Sequence, residues 1–462
     1  MRVLFVNPHY TYDPFTLLLH PSLAYGYMAN QLKARGHDVV HADLPFEGNS
    51  PERVVDYLED YRPDIVGVTC VAQSYYHALQ IAQVVKSWNQ TLPVVFGGPH
   101  VSFIPSECLE RHRCVDFVLL FDAEHSMADL VDVLAAGGEP AGLRKVPGLA
   151  YREGPAVRVT APEPPASDLD QYGIPDRSIF DMERYRRYDY ETVVMTARGC
   201  PSRCAFCSTT AAGRAARWHS PRHVVDEMEQ VIELGFESIF FGDDTFSGNP
   251  RRAIEICAEI KRRGIDIPWT SNMRAQDARP EVLDAMREAG AYRVFVGFES
   301  IQTHTLHLVK KGTSPERLYK TARRIMAHGL ELHASFIVGA PGDTHESLAA
   351  TLDYIRIVNP TIATFNVMEP RPGTDVYHNP AKYGITIPNP YWYETTDWLD
   401  LPVCHTETLT QEEIRSWVHR CYEEFCSADF RSEEKMSALE PVRAAWDAAA
   451  ESVQRHLPLL PA

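Results

Sequence analysis

Two long stretches of this chain alternate short apolar runs with amphipathic helical segments, and that alternation leaves few folds open. In the first, apolar runs at 2–6, 38–42, 64–69, 93–96 and 116–120 are separated by helical patterns at 21–35, 51–61 and 75–88, with another at 124–136. In the second, runs at 192–196, 238–242, 268–271, 292–297, 331–338 and 362–368 alternate with helical patterns at 222–234, 251–263, 280–289, 315–328 and 344–358. Parallel strands need a crossover of a dozen or more residues between them, and a helix is the usual one. Both stretches therefore predict α/β structure, with parallel sheets covered by helices. Five strands suit an open sheet. Six βα units suit a partial barrel and fall short of the closed eightfold one. The expected organisation is an α/β sheet domain over 1–140, a Pro-rich linker over 141–190 with a small hairpin near 149–160, a partial (β/α)6 barrel over 191–380, and a mainly helical region over 381–462.

Composition narrows the function classes. The 462 residues are 45% hydrophobic and 23% charged, ordinary values for a globular protein. The formal net charge of −17 argues against a nucleic-acid partner, which needs a basic face. The basic groups at Arg251-Arg252 and Lys261-Arg262-Arg263 fall at helical spacing and read as solvated faces. The first apolar run is too short for a signal-peptide core, and no run approaches membrane length, so a cytoplasmic protein without a membrane partner is expected. Of ten cysteines, seven are scattered and read as reduced, mostly small core residues.

The other three are Cys200, Cys204 and Cys207, spaced C-x3-C-x2-C directly after an apolar run. Each iron of a 4Fe-4S cube takes a thiolate, so three closely spaced cysteines reach three corners and leave one iron open to a small molecule. Pro201 disfavours a helix through the loop. Zinc is the alternative, with His219 the nearest spare ligand, but structural zinc usually takes four protein ligands. Three structural cysteines together by chance is the remaining reading.

At this motif the chain resembles the radical S-adenosylmethionine (SAM) superfamily. Phe206 before the last cysteine fits the pattern, as do Phe241-Gly242-Asp243-Asp244, Gly297-Phe298-Glu299-Ser300, Gly339-Ala340-Pro341-Gly342 and Pro370-Arg371-Pro372-Gly373 at successive strand ends. The resemblance implies a 4Fe-4S cluster whose open iron binds SAM. Reductive cleavage by an external flavodoxin- or ferredoxin-type donor then yields a 5′-deoxyadenosyl radical. It also implies SAM contacts from Glu299, Ser300, Gly339 and Pro341. Asp243 and Asp244 stand where the family often has Gly-Gly-Glu, so either a SAM contact or a helix cap is expected of them. Asn272 and Arg274 follow the third strand of the series, and Arg274 is a candidate for SAM or substrate contact or for a structural ion pair.

A flavodoxin-like, Rossmann-type sheet ahead of such a barrel resembles the cobalamin-binding radical SAM subfamily. The carrying residues are Gly97-Gly98-Pro99-His100-Val101 and the turn Phe121-Asp122-Ala123-Glu124. The resemblance implies cobalamin at the strand ends, near Asn7, Thr69, Val71, Gln73, Gly97, Gly98, Pro99, His100, Val101 and Glu124. The D-x-H-x-x-G pattern that supplies a histidine to cobalt is absent around His9, His77 and His100, so no histidine–cobalt bond is expected. The expected activity is methylation of an unactivated carbon of a small natural-product substrate, through a 5′-deoxyadenosyl radical and methylcobalamin. Cyclisation, ring contraction or oxidation with the same cofactors is the alternative, and a non-catalytic cofactor-binding sensor is a third reading. Tyr377 and Arg371 are candidate substrate contacts. The aromatic stretch 388–402 is read as a cap or packing element of the barrel. No side chain is assigned an acid–base or nucleophilic role.

Overall fold

The first five apolar runs form β1 (Arg2–Asn7), β2 (Asp38–Asp43), β3 (Ile65–Thr69), β4 (Val94–Gly97) and β5 (Phe117–Leu119). They pair in parallel in the order β2-β1-β3-β4-β5. Val3, Leu4, Phe5 and Val6 are all but fully buried, as expected of a strand covered on both faces. The chain order reverses between β1 and β3, and ligands of such sheets bind beyond the carboxyl ends near that point. The structure is a computed structural model describing residues 1–8, 20–47, 50–189, 191–212, 215–441, 443–445 and 447. His9 lies outside the described residues, as do residues 448–462 of the region expected to be helical, whose earlier part forms the helices Gln411–Cys426 and Glu433–Ala438.

The chain divides into two units. The first comprises Met1–Thr192, Arg371–Gly373 and Tyr391–Leu399, and the second comprises Val193–Pro370, Thr374–Pro390 and Asp400–Ala462. Two expectations are corrected by this division. Residues 141–190 are no free linker. Their hairpin, β6 (Leu149–Glu153) and β7 (Ala156–Val159), continues the first sheet antiparallel to β5. It covers the unpaired edge of a strand only three residues long, and Leu149, Ala150 and Tyr151 are buried there. The segment is also tied down further on, where Asn30 Nδ2 donates to the Tyr172 and Ile174 carbonyls at 3.1 and 2.7 Å. The second correction concerns the aromatic stretch. Tyr391–Leu399, expected as a cap or packing element of the barrel, groups with the first unit. Tyr393 is buried against Tyr75 and His100, and Glu394 takes a two-point ion pair from Arg111 at 2.9 and 2.6 Å.

The second unit is built on a six-stranded sheet, in the order β15-β14-β13-β12-β11-β8. Its strands are β8 (Glu191–Val194), β11 (Ser238–Phe241), β12 (Trp269–Met273), β13 (Ala291–Glu299), β14 (Glu331–Val338) and β15 (Ile362–Val367). A short ribbon of β9 (Ala197–Arg198) and β10 (Arg217–Trp218) lies between β8 and β11 in the chain. From β11 to β15 neighbouring strands pair in parallel, which is the expected open barrel of βα units. The helices between them start where the sequence marks a cap followed by proline. Ser220, Asn249 and Ser314 each accept a backbone N–H in the first turn of the helices Pro221–Glu233, Pro250–Arg263 and Pro315–Ala327. No helix among the described residues is long and apolar enough to cross a membrane.

Candidate functional site

The cysteine loop begins two residues after β9 and is anchored from several directions within the second unit. Asp243, fully buried beyond β11, accepts the backbone N–H of Thr196 at 2.6 Å and of Ala197 at 2.8 Å, and also the Thr196 hydroxyl. Burial pushes its carboxyl up to about 6, against the pull of Thr196 and Arg252. Asp244 accepts the Thr209 hydroxyl at 2.8 Å, just past the last cysteine, and its backbone partner is Gly199. The two acids thus bracket the loop before and after its cysteines. Asp243 points into the protein and acts on backbone, so its expected SAM contact is replaced by a structural one. The loop's middle is held by Ala205 N–H on the Val309 carbonyl at 2.9 Å and by Val376 N–H on the Ala205 carbonyl at 3.2 Å.

Cys204 is buried, while Cys200 and Cys207 are half-buried. Burial raises the Cys204 thiol to about 11. Lys311 works against that rise, while Cys207, Glu299 and Cys200 add to it, so all three sulfurs and both charges share one neighbourhood. The three sulfurs do not form a group with ligand atoms all within 4.8 Å of one another. Around a single zinc, Zn–S bonds of ~2.3 Å would place thiolates only about 3.8 Å apart. The expected spare ligand His219 is instead buried and stacked on His223 at 4.2 Å. The donor set therefore fits a cluster with several irons better than one ion.

Two cations approach this loop, each with its own carboxylate. Arg274 forms a two-point pair with Asp277 at 2.6 and 2.8 Å and donates to Ser202 Oγ, inside the cysteine loop, at 3.0 Å. The ion pair named among the alternatives for this residue is present, with a contact to the loop as well. Lys311 donates to Glu299 Oε1 at 2.7 Å. Glu299 itself ends β13 at a register shift, with φ +63°, a left-handed conformation that costs a non-glycine residue about 1–3 kcal/mol. A Cβ on Gly297 would lie 2.3 Å from Glu299 Oε1 and 2.9 Å from Lys311 Nζ, so the pair occupies the space a side chain at 297 would take.

The remaining strand-end residues frame this site. Ser300 is buried and accepts the Gln302 N–H at 3.1 Å, as a turn residue before the helix Thr303–Leu308. The Pro341 carbonyl accepts the Thr305 hydroxyl at 2.8 Å. Gly339 has φ +79°, and a Cβ there would lie 2.8 Å from Ile414 Cδ1. Its small size lets this turn pack against the helix Gln411–Cys426.

Along β13 and β14, buried residues alternate with half-exposed ones, so one face packs on helices and the other is open. Phe295, Gly297 and Glu299 lie on the open face of β13, and His333 and Ser335 on that of β14. Thr364 and Asn366 continue it on β15. The His333 ring packs tilted against Phe295 at 4.4 Å, and its Nε2 lies 3.2 Å from Thr364 Oγ1. Burial, helped by Arg293, lowers His333 to about 4. Asn366 Nδ2 donates to Ser335 Oγ at 2.9 Å. Tyr377 donates its hydroxyl to the Pro390 carbonyl at 3.0 Å, while Arg371 is grouped with the first unit.

In the first unit, Thr69, Val71, Gln73, Gly97 and Gly98 are half-exposed and Pro99 is exposed at the carboxyl edge of an otherwise buried sheet. A Cβ on Gly97 would meet nothing within 4 Å, which leaves room for a large flat group. Asn7 donates to Asp43 Oδ1 at 2.9 Å, and its own Oδ1 is buried without a partner among the described residues. Four of the expected neighbours pack against other parts of the first unit. Gly98 lies against the Cys70 backbone, Val101 is buried, and Glu124 is buried in the first helical turn after β5. The His100 ring is buried 4.6 Å from Tyr75 and 4.4 Å from Tyr393, and burial lowers it to about 3. Sequence reasoning missed Ser102, whose hydroxyl donates to Gly98 O at 2.8 Å and accepts Phe121 N–H at 2.8 Å, joining the two loops. It also missed Lys311, although the Lys310-Lys311-Gly312 run after a strand-end acid carried a signal.

Comparison with known proteins agrees with both halves. The model of the radical SAM superfamily matches residues 194–355, and that of the B12-binding domain matches 15–131. An uncharacterized methyltransferase of Pyrococcus horikoshii is 32% identical over 409 residues, 88% of this chain and 87% of that protein. The anaerobic magnesium-protoporphyrin IX monomethyl ester cyclase of Rubrivivax gelatinosus is 31% identical over 388 residues, 82% of this chain and 69% of that one. The structure of the radical SAM methyltransferase TsrM from Kitasatospora setae, with cobalamin and a [4Fe-4S] cluster bound, shares the fold. Its TM-score is 0.72 at 19% identity, covering 93% of this chain and 89% of that one. The chain belongs to the cobalamin-binding radical SAM family of enzymes.

Proposed function

We propose that this enzyme methylates an unactivated carbon of a small-molecule substrate, in a reaction that uses a 4Fe-4S cluster, SAM and cobalamin. The observation that carries the proposal is a three-thiol loop beside a barrel sheet, on the same chain as an open sheet with a half-exposed carboxyl edge. When bound, the cluster with SAM supplies a hydrogen-abstracting radical, and cobalamin supplies a methyl carrier. Cys200, Cys204 and Cys207 would hold three irons. Asp243 and Asp244 position that loop. Glu299, with Asp244 and the turns at Ser300, Gly339 and Pro341, would hold the polar groups of SAM, and Arg274 orients the loop through Ser202. Asn7, Thr69, Val71, Gln73, Gly97, Gly98 and Pro99 would border the corrinoid. His100 is enclosed by aromatic rings, which supports a cobalt without a histidine ligand.

The open face of β13 to β15 sets what the substrate must satisfy. His333 is neutral at pH 7, and Ser335, Thr364 and Asn366 add neutral donors and acceptors beside the Phe295 ring. These groups suit a substrate with a flat apolar body and uncharged polar substituents. A one-electron donor of flavodoxin or ferredoxin type would deliver the reducing equivalent. A second reading, cyclisation or oxidation without methyl transfer, draws on the related protein named as a cyclase.

The test uses the full-length protein, purified without oxygen and reconstituted with iron, sulfide and cobalamin, with SAM labelled on its methyl group. Release of 5′-deoxyadenosine on reduction, with label recovered on a product carbon, supports methylation. A product that has lost hydrogen and carries no label favours the second reading. Absence of 5′-deoxyadenosine defeats both.

A further inference from the structure

Lys311 is a buried cation that neither family motif accounts for. It follows the helix Thr303–Leu308 by three residues, and that end of the helix is tied to the cysteine loop through the Ala205–Val309 hydrogen bond at 2.9 Å. Its side chain and that of Glu299 are each only 14% exposed. Burying an ammonium is unfavourable unless negative charge compensates for it. Here the Glu299 carboxylate supplies that charge, 2.7 Å from the ammonium. Lys311 therefore keeps its proton, and its charge lies in the field of the cysteines.

The two cations at the loop are not equivalent. Arg274 spends both faces of its fork on Asp277 and a third N–H on Ser202. A lysine ammonium has three donors. Among the described residues the structure shows one hydrogen bond from Lys311, to Glu299 Oε1. Two donors remain in a buried place, on a turn tied to the loop that carries the cysteines. Iron–sulfur reduction potentials respond to net charge and to hydrogen bonds at the sulfurs, and a fixed positive charge favours the reduced, more negative state.

We infer that Lys311, held by Glu299, tunes the reduction potential of the cluster on Cys200, Cys204 and Cys207, raising it so that the cluster accepts its electron more easily. The inference rests on the cluster assignment above, but it needs neither cobalamin nor substrate. Glu299 has a second part in it: its carboxylate fixes the lysine and partly offsets its charge. Lys311 is thus a positioning and electrostatic residue with no direct part in bond making.

The experiment is a redox titration, followed by electron paramagnetic resonance, of the full-length protein loaded with iron and sulfide. Wild type, Lys311→Met, Lys311→Arg and Glu299→Gln are compared at equal iron content. Lys311→Met is expected to shift the midpoint to a more negative potential, Lys311→Arg to stay near wild type, and Glu299→Gln to shift it the opposite way. An unshifted midpoint in Lys311→Met overturns the inference. If Lys311→Met loads too little iron to titrate, Glu299→Gln decides: an upward shift upholds the inference, and no shift or a downward one overturns it. A wild type that holds no cluster at all defeats the proposed function instead, so the two failures are told apart.

Discussion

Gly97 and Gly98 are neighbours at the carboxyl edge of the first sheet and meet opposite surroundings. A Cβ on Gly97 would enter open space, whereas a Cβ on Gly98 would lie 2.5 Å from the Cys70 carbonyl, at φ +105°. Gly97→Val is expected to leave the melting temperature near wild type and to weaken cobalamin binding about tenfold or more, a change of about 1.4 kcal/mol. Gly98→Val is expected to destabilise the fold by at least about 1–3 kcal/mol from backbone strain alone. Visible absorbance of bound corrinoid, read beside thermal unfolding, separates the two. Equal effects of both substitutions on both readouts would sink the assignment of that edge.

Replacing Cys200, Cys204 or Cys207 with alanine is expected to abolish stable iron incorporation and 5′-deoxyadenosine release. Alanine at Cys257 or Cys421, both buried in packing roles, is expected to leave iron content unchanged. Iron and sulfide analysis of the reconstituted variants checks this.

Asp243→Ala strands two buried backbone N–H groups, those of Thr196 and Ala197. Each buried unsatisfied group costs about 1–3 kcal/mol, so a loss on the order of 3 kcal/mol is expected. Because both amides lie just ahead of the cysteine loop, iron loading should fall with stability. Asp244→Ala, which loses contacts on the loop itself, should lower iron loading with a smaller change in melting temperature.

Burial pushes the Asp343 carboxyl from its ordinary 3.8 up to about 7. Its folded pKa exceeds its unfolded one, so the folded state binds more protons between those values. This group therefore lowers stability as pH rises from about 4 to 7, with no further change above. Asp343→Asn should remove that slope. The melting temperature of the variant minus that of wild type is expected to climb across this range and then level off. Parallel curves for the two proteins would refute the assignment.

Glu394 anchors the segment Tyr391–Leu399 through Arg111 and His112, and Tyr393 adds a hydrogen bond to Glu107 at 2.8 Å. Glu394→Ala is expected to cost about 1–3 kcal/mol, since the pair is partly buried. Cleavage within that segment under limited proteolysis should accelerate before any loss of the cysteine loop's iron.

The architecture was legible because helical and strand periodicities are strong in both series. The strand at 331–338 and the helix at 75–88 appear with the expected bounds, and others differ by a residue or two at their ends. The short helix Pro105–Arg111 was missed, since seven residues hold too few turns to display a period. Site residues were harder to read. Periodicity locates Asp243 at a strand end but cannot say that its carboxylate turns inward to backbone amides. Glycines at 97, 98 and 339 look alike in sequence, yet one faces open space, one a carbonyl and one the side chain of Ile414. The Tyr393–His100 contact joins positions 293 residues apart, beyond the reach of any local pattern.

The assignment of Tyr391–Leu399 to the first unit, while the residues before and after it belong to the second, bears on how this protein can be dissected. Severing the chain near residue 190 would not release two self-sufficient halves. The amino-terminal fragment would lack the aromatic segment that shields Tyr75 and His100, and the other fragment would carry those same rings without a surface to receive them. Co-expression of the halves, with reassembly through that borrowed piece, is the form in which a split version of the enzyme should survive.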